Sequence, residues 1–254
     1  MFRTMSADTL AWGAPPVHLA LPAAGIHLFS FSLDLSASRV SRLERLLAAD
    51  ELARAGRFKF LRHRTRYLAG RGMLRTILGR YLDRDPAELQ FRCGANGKPA
   101  LQGSDDHERV RFNLSRSEGL GILAIQLNED LGVDLECLRP FPDALQIAER
   151  LFAAEEAGVL RALPEPERSL AFFHYWTRKE AVIKSIGHGL SYPVHTFTLS
   201  PEAGTAEQLV LPDATGMVTR WLLPVPVPSE GYVAAVATAG PAPCSLTCWT
   251  WPVL

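Results

Sequence analysis

Apolar and polar residues recur with two different periods along this chain, and those periods divide it into helices and strands. Over 172–190, FFHYWTRKEAVIKSIGHGL, wrapping at about 3.6 residues per turn gathers Phe172, Trp176 and Ile183 on one stripe, and Phe173, Thr177, Glu180 and Lys184 on the adjoining face. This predicts an amphipathic helix ending at glycine, with Phe172 and Trp176 in the core. Lys179 falls on the apolar stripe, so its cation must snorkel outward or find a buried anion. Leucines at 43, 46, 47 and 52 predict a helix over 38–55, and a second helix is expected over 64–81. Strand-like runs are read at 25–33, 109–115, 121–127 and 131–136, and the short polar connectors among the last three suggest antiparallel hairpins. The later half repeats the order: a helix over 144–160, the Pro-broken connector LPEPE, the 172–190 helix, and strands near Phe197, Leu209 and Tyr232.

The stretches AADE at Ala48 and AAEE at Ala153 echo one another, each before a long helix expected to end at a glycine. The fold class is therefore α+β (α/β): two similar halves, each a small antiparallel-rich sheet with packed helices. The halves are 1–128 and 129–254, with the boundary near 128–131. A chain of 254 residues with 47% hydrophobic composition can bury a sizeable core, and 27 basic residues against 27 acidic ones argue against a general nucleic-acid or membrane coat. The first sixteen residues lack the apolar core of a secretion signal, and no run approaches a membrane span, so the cytoplasm is the expected compartment. The four cysteines, Cys93, Cys137, Cys244 and Cys248, read as reduced thiols.

Charge placement changes the picture. In GVDLE, strand alternation puts Asp134 and Glu136 on one face, about 6–7 Å apart, as on any solvated strand face or as a pair sharing one cation. Joined by Glu180 they would make a hard oxygen site suited to Mg²⁺ and a phosphate ligand. Alternatively, Glu180 and Lys184 form only a surface ion pair. Residues 55–82 hold no acid but eight cations, Arg57, Lys59, Arg62, Arg64, Arg66, Arg71, Arg75 and Arg80. That segment suits a solvated basic helix, a nucleic-acid surface or a small polyphosphate, and it is read as lacking the interleaved aromatics of a base-stacking platform.

GVDLE, then LRP, then FFHYWTRKEAVIKSIGHGLSYP resembles the 4′-phosphopantetheinyl transferases of the surfactin-synthetase-activating type, whose signatures are G-x-D-x-E and W-x-x-K-E-A-x-x-K. NGKPAL and FNLSRS are similar to that family's G-K-P and F-N-x-S-H-S segments, and the resemblance runs over 57–193. It implies a pseudo-twofold monomer with coenzyme A between the halves and Mg²⁺ on its pyrophosphate. Asp134, Glu136 and Glu180 would be the metal acids and Lys184 the reaction-centre lysine. Lys98, Ser115 and Arg66 would be coenzyme contacts, with Arg54 and Arg62 toward the 3′-phosphate. Arg116 stands where the family has histidine, a cation that cannot lose its proton. The implied reaction moves the phosphopantetheine arm to a serine of a fatty-acid, polyketide or nonribosomal-peptide carrier domain. Glu180 or a metal-held water takes the serine proton, and Lys184 steadies the departing 3′,5′-ADP. Leu151 and Phe152 are the implied docking contacts, or else core residues. The rival functions are a coenzyme A binding protein without turnover and a nucleic-acid-binding module.

Overall fold

A computed structural model describes residues 12–20, 25–94, 97–103, 109–201, 204–213, 216–226, 228–240 and 244–252. The first two residues of the ANGKP turn, Ala95 and Asn96, and most of the amino-terminal stretch lie outside the described residues. The first half runs β1 (Ile26–Ser32), α1 (Ala37–Glu44), α2 (Ala49–Ala55), α3 (Leu61–Leu82), β2 (Gln90–Cys93), β3 (Pro99–Gln102), β4 (Val110–Ser117) and β5 (Leu120–Leu127). The second runs β6 (Leu131–Cys137), α4 (Ala144–Leu151), α5 (Ala154–Ala162), α6 (Glu167–Ile186), β7 (Glu207–Asp213), β8 (Gly216–Pro224) and β9 (Tyr232–Ala239), with β10 (Leu246–Thr250) last. One sheet has the order β10-β1-β5-β4 and the other β6-β9-β8-β7, while β2 and β3 form a separate hairpin. The path β1-β5-β4 is thus repeated as β6-β9-β8, each with three helices after its first strand, and both are antiparallel. The last strand pairs parallel with β1, so the carboxy-terminal segment returns to the first sheet.

Alternation sorts the core into layers. Phe29, Phe31, Leu123 and Ile125 face α3, with Leu74, Ile77 and Leu78. Ile26, Leu28, Ile122 and Ala124 turn the other way and meet Leu131, Val133, Leu135 and Val236 of the second sheet. That sheet's opposite face packs Ala235 and Ala237 against Phe172, Phe173 and Val182 of α6. The layers are therefore helix, sheet, sheet and helix, and the halves are joined by a buried apolar seam.

The helix expected over 38–55 is two helices, and so is that over 144–160. At Ala48 and Ala153 the backbone is extended. A carboxylate three residues on accepts the freed N–H: Glu51 from Ala48 at 2.9 Å, and Glu156 from Ala153 at 2.9 Å. The leucine periodicity is blind to such a break, whereas the AADE/AAEE echo marks it in both halves. Glu51 then reaches forward to Arg71 and Arg75 of α3, and Glu156 to Lys179 of α6 at 2.8 Å. The cation on the apolar stripe has found its buried anion. Helix α6 ends at Gly187 in the left-handed region (φ 81°), as expected, but α3 ends at Asp83 (φ 48°) instead of a glycine. Phe197 follows a 3₁₀ turn and lies in no strand; its carbonyl accepts from Lys179 Nζ at 2.8 Å. β4 and β5 form the expected hairpin, but β6 leaves to begin the second sheet. Among the described residues no helix is long and apolar enough to cross a membrane.

Candidate active site

The site is built where β6 crosses α6. A Cβ on Gly132 would collide with the Ala181 carbonyl and the Ser185 N–H, both backbone, so only glycine lets the strand lie this close to the helix. That approach brings the polar face of β6 against Glu180 and Lys184. Asp134 is 4% exposed. Its Oδ1 accepts from Lys184 Nζ at 2.5 Å and from Ser115 Oγ at 2.8 Å, while Oδ2 is buried without a partner among the described residues. Lys184 Nζ also lies 3.2 Å from Ser115 Oγ and 3.3 Å from the Val133 carbonyl. Glu136 Oε2 accepts from Ser117 Oγ at 3.0 Å, and Arg139 approaches it at 4.0 Å.

Three carboxylates gathered under apolar cover repel one another. Burial, and then the Asp134 charge, pushes the Glu136 carboxyl above its ordinary value. Glu180 is pushed up to about 7, chiefly by burial; Lys184 partly relieves this, while the Asp134 and Glu136 charges push it further up. Glu180 Oε1 is a second buried carboxylate oxygen with no partner among the described residues. Among the described residues no three acidic, imidazole or thiol groups are placed so that together they could hold a metal ion as they stand, and Lys184 occupies one Asp134 oxygen. The donors nonetheless fit a hard divalent cation on two grounds: all three are carboxylates, and two buried oxygens, Asp134 Oδ2 and Glu180 Oε1, accept no hydrogen bond from the described residues.

The cations expected on the coenzyme fall into three groups. Arg116 lies over the Tyr67 ring at 5.3 Å and Arg54 over the same ring at 5.8 Å, with Gly70 leaving room on α3 for the Arg116 side chain. Arg66 forks onto Asp34 at 2.7 and 2.8 Å and bonds Glu118 at 2.8 Å, and the exposed Arg62 adds its field to both acids. Glu118 therefore pairs with Arg66 and not with Arg116. Lys98 lies apart from both groups: its Nζ donates to the Leu131 carbonyl at 2.8 Å, and burial pulls its pKa down to about 8. It lines a pocket of about 290 Å³ with Arg92, Arg111, Phe112 and Asp130.

One reading of the sequence needs correction: Phe58 and Phe60 are 38% and 68% exposed, so the basic segment does carry exposed aromatics among its cations. Of the pair read either as docking contacts or as core, Phe152 is core, buried and stacked on Phe172, and Leu151 is exposed. Phe172 is core, as expected, and Trp176 stacks on it at 5.9 Å. Sequence reasoning missed Ser117, Asn113, Arg139 and Asp34. For the first two the signal was present: in FNLSRS, Asn113, Ser115 and Ser117 share a strand face by the same alternation that pairs Asp134 with Glu136.

Residues 130–237 match the family model described as the 4′-phosphopantetheinyl transferase superfamily, and residues 28–128 match that described as 4′-phosphopantetheinyl transferase, N-terminal. The chain is 38% identical over 229 residues to the 4′-phosphopantetheinyl transferase HetI of Nostoc, covering 90% of this chain and 94% of that protein. It is 32% identical to psf-1 of Bacillus pumilus (80% and 84% covered) and 28% identical to Sfp of Bacillus subtilis (82% and 88% covered), both also named 4′-phosphopantetheinyl transferases.

Proposed function

The chain belongs to the 4′-phosphopantetheinyl transferase superfamily, and we propose that it transfers the arm of coenzyme A to the serine of an apo carrier domain through the Asp134–Glu136–Glu180–Lys184 cluster, releasing 3′,5′-ADP. The observation that carries this reading is the pair of buried, unpartnered carboxylate oxygens, Asp134 Oδ2 and Glu180 Oε1, beside a lysine ammonium. Asp134, Glu136 and Glu180 would hold Mg²⁺, whose charge, when bound, offsets that of the pyrophosphate.

The chain's own residues then have distinct tasks. The carrier serine oxygen forms a bond to the phosphorus bearing the pantetheine arm as the bond from that phosphorus to 3′,5′-ADP breaks. Glu180 accepts the serine proton. Lys184 exchanges its contact with Asp134 for the charge growing on the departing phosphate. Ser115 keeps Asp134 oriented while this happens. Arg66, Lys98, Ser115 and Arg116 contact the coenzyme, with Arg66 leaving Asp34 or Glu118 to do so, and Arg54 and Arg62 reach toward its 3′-phosphate. The acceptors would be carrier domains of fatty-acid, polyketide or nonribosomal-peptide synthases, met by a cytoplasmic monomer without nucleic-acid affinity. Residues 1–128 would supply most of the basic coenzyme side and residues 129–254 the acids. One incubation with coenzyme A, MgCl₂ and an apo carrier, read by mass spectrometry, tests the reading. Gain of the phosphopantetheine mass supports it. Coenzyme A binding with an unmodified carrier would instead favour a protein without turnover.

A further inference from the structure

Three side chains of β4 reach across the seam between the sheets to β6, at every second residue. Asn113 Oδ1 accepts from the Val133 N–H at 2.8 Å, and Ser115 Oγ donates to Asp134 Oδ1 at 2.8 Å. Ser117 Oγ donates to Glu136 Oε2 at 3.0 Å while accepting from the Cys137 N–H at 3.0 Å. β4 spends one backbone edge on β5 and β6 spends one on β9, so no backbone ladder joins β4 to β6. The side chains supply the connection.

We infer that Ser117 is a positioning residue that aims the Glu136 carboxylate into the acid cluster and ties that aim to the packing of the two halves. The inference rests on the reading of Asp134, Glu136 and Glu180 as the magnesium acids. Glu136 is the most exposed of the β6 acids, its side chain 23% exposed against 6% for Asp134. Asp134 is held by Ser115 and Lys184 together, whereas Glu136, among the described residues, has Ser117 as its hydrogen-bond donor and Arg139 as its ion-pair partner at 4.0 Å. The Ser117 hydroxyl is itself oriented: accepting the Cys137 N–H leaves its own proton directed at Glu136. One carboxylate oxygen is thereby anchored while the other remains available as a ligand, and an anchored ligand loses less freedom on binding an ion.

The test uses the full chain with Ser117→Ala and Ser117→Thr. MgCl₂ is titrated calorimetrically in saturating coenzyme A, and thermal unfolding is recorded in EDTA. Ser117→Ala should raise the magnesium Kd by about 10- to 100-fold, while Ser117→Thr, which keeps the hydroxyl on a strand-compatible side chain, should stay within about threefold of the parent. A lowered unfolding temperature with an unchanged magnesium Kd would make Ser117 a purely structural link and overturn the inference. So would a threonine variant as impaired as alanine. If the unsubstituted chain takes up no magnesium, the metal reading itself falls, and this inference with it.

Discussion

Glu180→Gln should make the metal-free protein more stable as it destroys the transferase. The charge on Glu180 is costly because burial strips its water and Asp134 and Glu136 repel it, against the attraction of Lys184. Ionising near pH 7 in the fold instead of at 4.5 corresponds to about 3 kcal/mol, which we discount to about 1–3 kcal/mol for the part of the side chain that water reaches. The folded state holds a proton that the unfolded chain releases between pH 4.5 and about 7, so parent stability falls as pH rises through that window and the full penalty is present above it. Glutamine has nearly the same shape and no charge. With about 2–4 °C per kcal/mol for a chain of this size, Glu180→Gln should melt roughly 2–12 °C above the parent at pH 8 and coincide with it near pH 4.5. Thermal unfolding by circular dichroism in EDTA at both pH values decides it. A variant no more stable than the parent at pH 8, or one with the same gain at both, would refute the repulsion argument.

Lys179→Met should cost about 3–5 kcal/mol, since Lys179 and Glu156 are each 1% exposed and removing the cation strands a buried carboxylate; urea unfolding measures it. Gly132→Ala should cost about 1–3 kcal/mol and sharply lower transfer, because the added methyl meets α6 backbone that cannot rotate away, and unfolding with activity assays checks both. Arg116→Ala should weaken coenzyme A binding by about 1.5–3 kcal/mol, read by calorimetry. Arg116→His should recover part of that, more fully at low pH where the imidazole is protonated. An unchanged Kd for the alanine variant would remove Arg116 from the coenzyme site.

The acid cluster was legible because two periodicities suffice for it: alternation aligns Asp134 with Glu136, and one helical turn aligns Glu180 with Lys184. Gly132 in GVDLE is explained by the crossing of β6 and α6, a relation between distant segments that no local pattern expresses. For the same reason β10 went unread, because its five residues acquire meaning only as the partner of β1, some 220 positions away. The breaks at Ala48 and Ala153 lie inside good apolar periodicity, and in the sequence the glutamates that accept the freed N–H groups show only as a repeat. Arg66 shows the limit of charge counting. An acid-free stretch of sequence is not an acid-free surface, since Asp34 and Glu118 come from other segments to neutralise it.

The account rests above all on Asp134, Glu136 and Glu180 acting together on one divalent ion. The rate of phosphopantetheine transfer to an apo carrier, followed across a MgCl₂ titration for the parent, Asp134→Asn and Glu136→Gln, tests this most directly. The account predicts that both variants remain folded, need at least tenfold more magnesium and lose most of the rate, Asp134→Asn the more severely because its buried Oδ2 has no substitute donor set. Variants with the parent's rate and magnesium dependence would contradict it.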